Sequence, residues 1–187
     1  STDPSGGVFY PDYFGKNFVL NDLTHDGGLT AIRIEGPINS VDHRLKRLSK
    51  ELSLLDQELS ILDNEQSNIF WSRTKNLEVF KKLESNLLRI VLPISETLLV
   101  IQKLKSYDIK YFVDWGGSLI WAAFETLNAK ILSDIKDIVK KHQGYITLIK
   151  IEDDLKASAD IFTIDPIKYK ISEKIKRSFD PKRIFNP

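Results

Sequence analysis

The only imidazoles in the 187-residue chain are His25, His43 and His142, and they stand far apart in sequence. His25-Asp26, in a glycine-rich stretch, has the residue types of a metal ligand or a general base. No H-x-x-x-H or H-x-E spacing surrounds it, so it lacks the second ligand or orienting partner that such work requires. A structural or solvated role accounts better for each histidine. Cysteine is absent, which removes disulfides, thiolate nucleophiles, iron–sulfur ligation and cysteine zinc sites. No metal site is expected.

Two glycine pairs, Gly27-Gly28 and Gly116-Gly117, lie outside the extreme N-terminus. Neither forms G-x-G-x-x-G or a Walker loop, and neither opens a helix after a strand, so phosphate cradling is not expected. The second pair fits a tight hairpin, because glycine supplies positive φ without steric cost. Trp115 and Trp121 straddle that hairpin. Either both are core, or one projects from the turn as an anchor for a partner or cofactor. From Pro166 onward, Lys168, Lys170, Lys174, Lys176, Arg177, Lys182 and Arg183 outnumber Glu173 and Asp180. Such a helix could hold phosphates. It carries no interleaved aromatics for base stacking, so a solvated helix face is the simpler account and a nucleic-acid partner is not expected.

Positioning any of these groups falls to one ordinary domain, given the length. A hydrophobic fraction of 42% and a charged fraction of 28% are those of a globular protein. With a net charge of +1 there is no global field to draw in polyanions. The longest apolar stretch, Phe112 to Phe124, is interrupted by Asp114, Gly116, Gly117 and Ser118, so neither a membrane span nor a secretory signal is expected. Together with the missing cysteine this suits a cytoplasmic address.

Residues 1–28 are rich in glycine and carry Phe9, Tyr10, Tyr13 and Phe14 without any regular period. They read as an irregular arm that packs through its aromatics, with Asn17 to Leu20 as a possible short strand and the first seven residues as a cut end or expression remnant. Residues 29–165 read as the α+β body. Thr30 to Glu35 alternates as a half-buried strand does. After Pro37, Ser40 is positioned to cap a helix on which Val41, Leu45, Leu48, Leu52, Leu55, Leu59 and Leu62 share one stripe. The stripe predicts either docking on the sheet or, over Leu45–Leu62, a seam for a homodimer. A short helix is expected near Leu77 to Leu83. Beyond it the pattern predicts a strand from Asn86, a helix from Ser95, the hairpin Lys110–Asp114 with Leu119–Phe124, a helix Asn128–His142 ending on a left-handed Gly144, and a strand from Tyr145. Residues 166–187 form a last basic helix and a tail. This order suits an antiparallel sheet with helices packed on one face, in the ferredoxin-like manner.

The ending Ser178-Phe179-Asp180-Pro181-Lys182-Arg183-Ile184-Phe185-Asn186-Pro187 resembles the F-D-P-x-x-I-F-N-P-G tail of FAD-linked oxidases of the vanillyl-alcohol oxidase type. Ile32-Arg33-Ile34-Glu35-Gly36 before a helix, and Tyr111 to Trp121 with its D-W-G-G-x-x-x-W pattern, are similar to the cap region of the E subunit of glycolate oxidase. The likeness covers about residues 29–187. It implies a cap domain on the substrate side of an enzyme that oxidises glycolate, or another small 2-hydroxy acid, by passing a hydride to FAD. It also implies that FAD is carried mainly by a flavin-binding half or by sister subunits. On that resemblance Asn186, Phe185 and Trp115 are the cofactor-facing residues, no catalytic residue is assigned, and the chain is not expected to be active alone. A place at the inner membrane would be peripheral and reached through partners. The family's glycine-rich pyrophosphate loop, the final glycine of its tail and the H-x-G-D-G-N-x-H stretch of the sister subunit are all absent from these residues.

Overall fold

The computed structural model describes residues 2–14, 27–55, 59–81, 83, 86–156 and 166–185. Its centre is a β-α-β-β-α-β unit made of β-strands and helices with ordinary sequence signals. The strand β3 (Asn86–Val91) leads into the first of the two central helices (Ile94–Leu104), the hairpin strands Ile109–Asp114 and Leu119–Phe124 follow, and a second helix (Ala129–Lys141) returns the chain to the strand Tyr145–Lys150. Before this unit lie β1 (Gly6–Tyr10), β2 (Leu29–Arg33), α1 (Ile38–Leu52) and α2 (Asn64–Lys75). In chain order the central elements are therefore α3, β4, β5, α4 and β6, followed by the one-turn α5 (Asp153–Lys156) and α6 (Pro166–Phe179). All neighbouring strands are antiparallel, in the order β2-β1-β4-β5-β3-β6. The fold is α+β, and strands β4-β5-β3-β6 have the ferredoxin-like order.

Period-two alternation divides the sheet into two faces. Leu88, Ile90, Tyr111, Val113, Ile120, Ala122, Ile146 and Leu148 point to one face, where Val100, Ile101 and Leu104 of α3 and Leu132, Ile135 and Val139 of α4 cover them. Leu87, Phe112 and Ala123 point the other way, together with Val8 and Tyr10 of β1, and meet Phe70 of α2 and Phe80. The expected single helical layer is thus met by α3 and α4, and α2 adds cover on part of the opposite face. Asp63 starts α2 with a reciprocal capping box: its carboxylate accepts from Gln66 N (2.8 Å), and Gln66 Oε1 accepts from Asp63 N (3.1 Å).

Several sequence expectations are corrected by this packing. Residues 6–10 are not an irregular arm; they form a strand between β2 and β4, with Val8 and Tyr10 buried. Gly6 and Gly7 hid it by breaking the apolar alternation. The aromatics do pack as expected: Tyr10 meets Phe112 at 4.8 Å and Phe14 at 6.2 Å between ring centroids. The Asn17–Leu20 strand and His25-Asp26 lie outside the described residues. Ser40 is not a cap, because α1 starts at Ile38 after Pro37, and Ser40 sits inside the first turn. The leucine stripe is not one helix either. α1 stops at Leu52, Ser53–Leu55 is a 3₁₀ turn, and Leu62 joins the aromatic core beside α2. Only Val41, Leu45, Leu48 and Leu52 share a helix, too short a run for the sustained heptads of a coiled coil. None of α1 is fully buried. The helix expected at Leu77–Leu83 is a single 3₁₀ turn, Glu78–Phe80.

At the end of α4 the left-handed residue is Gln143 (φ 58°), not Gly144. Gly144 is needed for closeness: a Cβ there would strike Leu92, and would stand 2.8 Å from Val139 Cγ1 and from the Val91 carbonyl oxygen. Gly144→Ala is expected to cost about 1–3 kcal/mol through forced repacking, whereas Gln143→Gly should be neutral or gain up to about 1 kcal/mol by relieving left-handed strain. Urea denaturation of both variants checks the pair.

Tyr10 is fully buried and donates its hydroxyl proton to Thr74 Oγ1 (3.0 Å), which in turn donates to the Phe70 carbonyl (3.0 Å). Burial pushes its ionisation well above the ordinary phenol value, and the bond to Thr74 offsets only part of that. The folded state therefore keeps a proton that the unfolded chain gives up near pH 10, so stability is intact below that pH and falls as pH rises beyond it. In Tyr10→Phe this alkaline slope should be shallower, as read from denaturation midpoints on both sides of pH 10.

Candidate functional site

The second sheet face is covered unevenly. The aromatic core closes it over β1 and β4, but over β3 and β6 Tyr145 and Ile149 remain exposed and Arg89, Val91 and Thr147 half-buried. This open area is bounded by the β4–β5 turn, and the cross-strand register fixes its contents. Arg89 of β3 is flanked by Trp121 of β5 and Thr147 of β6, and opposed residues in an antiparallel ladder share a face. Phe112 and Asp114 of β4 lie on that face too, by alternation from the Phe112–Trp121 pair.

The turn is rigidly built. Asp114 accepts from the Trp115 amide (2.7 Å), Ser118 Oγ donates to the Trp115 carbonyl (3.2 Å), and Ser118 O accepts from Leu92 N (2.9 Å). From α3, Thr97 Oγ1 donates to the Gly117 carbonyl (2.6 Å). Gly116 (φ 60°) and Gly117 (φ 112°) supply the positive φ expected of the pair, and Gly7 of β1 lets the turn approach closely: its Cβ would be 3.2 Å from Gly116 Cα. Burial raises the Asp114 carboxyl above the ordinary carboxylate range, opposed by the hydrogen bond from Trp115 N–H.

Trp115 itself has φ 53°, a left-handed conformation for a bulky residue, and its side chain is 56% exposed. Its ring lies 4.7 Å from the Arg89 guanidinium carbon. Left-handed backbone costs an ordinary L-residue about 1–2 kcal/mol, and an exposed cation–π contact returns about 0.5–1 kcal/mol. The stack by itself therefore does not offset the left-handed backbone. Of the two sequence readings, Trp115 takes the projecting one, while Trp121 packs half-buried against the aromatic core.

The tail is a second built surface. Asp180 is buried, and its two carboxylate oxygens accept from Ile184 N (2.8 Å) and Phe185 N (2.9 Å), folding the chain back after α6. Arg183, left-handed at φ 51°, reaches Glu173 of α6 at 3.5 Å. The D-P-x-x-I-F segment is therefore a structured turn that leaves Phe179, Ile184 and Phe185 exposed. They continue a stripe of Ile167, Ile171 and Ile175 along α6, each more than half exposed and four residues apart. Phe185 is thus on an exposed apolar surface, Asn186 lies outside the described residues, and Trp115 sits in the hairpin without a ring contact to Phe185.

Arg89 is the residue that sequence reasoning passed over: inside Leu87–Val91 it reads as the polar phase of a core strand. Its signal was a lone arginine opposite a tryptophan once the hairpin is registered on β3. Of the histidines, His142 is structural: Nδ1 meets Glu96 Oε2 (2.6 Å) and Nε2 meets Lys103 Nζ (3.0 Å), joining α4 to α3. His43 is exposed on α1. For FAD, a pyrophosphate cradle would be needed, and the described residues do not fit one. Gly116-Gly117 closes a hairpin instead of opening a helix, and Gly27 and Gly28 precede strand β2. Among the described residues no cluster of three metal-ligating side chains occurs, and no helix is long and apolar enough to cross a membrane.

Trp115→Gly should leave thermal and urea stability unchanged or raise it by up to about 1 kcal/mol. A loss above about 2 kcal/mol would make the tryptophan a packing residue.

No protein-family model and no curated protein matches this sequence.

Proposed function

We propose that the chain is the cap, or substrate-side, part of a FAD-dependent dehydrogenase of glycolate or another small 2-hydroxy acid, with the flavin carried by a partner domain or subunit. The observation that carries this reading is the D-W-G-G-x-x-x-W stretch. Its residues form a braced hairpin that holds Trp115 and Trp121 beside a sheet face left open over β3 and β6. A lid on a substrate cavity needs such a face: rigid, aromatic, and not already buried in its own domain. The tail supports the partner, because Phe179, Ile184 and Phe185 offer an apolar patch held in shape by Asp180. Aromatic and aliphatic anchors of this kind dominate binding energy at interfaces.

The rival reading is a non-enzymatic domain that dimerises through α1. It rests on Val41, Leu45, Leu48 and Leu52, none of them fully buried.

Mixing the purified chain with a flavin-binding half, followed by light scattering and flavin absorbance, separates the two. The proposal expects a complex with one copy of each, bleached by glycolate or a related acid, and weakened at least tenfold by Phe185→Asp. A homodimer of the chain alone, indifferent to the flavin half and dissociated by Leu48→Glu and Leu52→Glu with the fold retained, decides for the rival.

A further inference from the structure

Seven arginines occur in the chain, and Arg89 differs from the rest in its surroundings. Arg33, Arg47, Arg73, Arg177 and Arg183 each pair with a glutamate. Arg44 donates to the Ser40, Asp3 and Glu35 carbonyls. Arg89, half-buried on an interior strand, has only the Trp115 ring, and among the described residues its guanidinium makes no hydrogen bond or ion pair. The adjoining strands β5 and β6 carry no acidic residue, and Asp114, on the same face of β4 one strand beyond β5, accepts instead from Trp115 N–H. A half-buried cation without an anion is costly unless something supplies the missing acceptors.

We infer that Arg89 is the anchor for the carboxylate of a small organic acid, which would lie between Trp115, Trp121 and Thr147. The chemistry follows from what remains available on the guanidinium. With the Trp115 ring as its one contact, the guanidinium keeps its N–H donors available, and a carboxylate meets such a fork with two coplanar oxygens. Phosphate groups usually draw several donors or a helix N-terminus. Here one cation stands on a strand between an indole and a hydroxyl, which suits a single negative charge on a small body. Thr147, directly opposite Arg89 on β6, is placed to hydrogen-bond a hydroxyl or carbonyl next to the carboxylate. The braced turn holds the stacking ring in place before any ligand arrives, so binding would not have to order it.

This deepens the reading above by naming the substrate group that is held, and it can be tested apart from turnover. The 187-residue chain is titrated with sodium glycolate while tryptophan fluorescence is followed, with inorganic phosphate and sodium chloride as separate arms at equal ionic strength. A single charge-assisted fork on an open face should bind roughly in the millimolar range. The expected result is a saturable change with glycolate alone, lost in Arg89→Gln and weakened at least tenfold in Arg89→Lys, which keeps the charge but not the fork. Unchanged near-ultraviolet circular dichroism in Arg89→Lys shows that the fold is retained. Glycolate binding that survives Arg89→Gln overturns the inference, as does no binding by the native chain or a stronger response to phosphate. With the flavin-binding half present, turnover whose KM ignores Arg89→Gln would remove the anchor and leave the enzymatic reading standing. Arginine-dependent glycolate binding with no turnover would do the opposite.

Discussion

One cluster of rings holds the two parts of this protein together. Phe112 lies at its centre, fully buried, 4.8 Å from the Tyr10 ring and 5.6 Å from Phe80, while Tyr10 meets Phe70 edge-on at 6.2 Å. A ferredoxin-like unit covers only one face of its sheet with its own helices. The other face of β4 and β5 would be wet without a second layer. The aromatic cluster supplies that layer from β1, α2 and the Glu78–Phe80 turn, and so fixes where the N-terminal elements dock. Truncating a buried phenylalanine of this kind typically costs about 3–5 kcal/mol, several times the value of the Trp115–Arg89 stack. The covered end of this face is where stability resides, and the uncovered end is left for other work.

The parts of the fold that were readable in the sequence are those whose local signals agree with their tertiary place. The hairpin is the clearest: the short apolar segments Lys110–Asp114 and Leu119–Phe124 and the glycine pair that supplies positive φ between them both point to the same turn. α4 is another, capped by Asn128, whose side chain accepts from Ile131 N (2.9 Å). Where tertiary contacts override local signal, the reading failed. Gly6 and Gly7 look like a flexible end, yet Gly7 is small because the Gly116 turn lies against it. Leu55, Leu59 and Leu62 keep the spacing of a helix, but their backbone leaves it, and Leu62 is drawn into the aromatic core.

The candidate site was half legible for a related reason. Trp115 stood out because its type and its neighbours are unusual in a strand context. Arg89 did not, since a polar residue alternating with leucine and isoleucine is what any half-buried strand contains. Its significance depends on three facts that only pairing brings together: Trp121 on one side, Thr147 on the other, and, among the described residues, no acid paired with its guanidinium. The tail shows the converse. The F-D-P motif was recognisable as a pattern, but the work of Asp180, accepting two amides to turn Ile184 and Phe185 outward, is a matter of geometry.

Rigidity links these observations. A surface meant only for solvent has no use for a tryptophan in left-handed backbone, held by an aspartate and a serine while a threonine fixes the Gly117 carbonyl of the same turn. Strain of that kind persists only where surrounding contacts over-determine the conformation. Here the contacts come from β1, α3 and the hairpin itself, so the ring position is set by the whole fold and not by the loop alone. The same logic applies to Asp180, a buried carboxylate that shapes an exposed apolar turn. In both places buried polar groups hold exposed aromatic ones, an arrangement that gains little for an isolated domain and gains a great deal once a second surface closes over it, because the ordering cost has already been met.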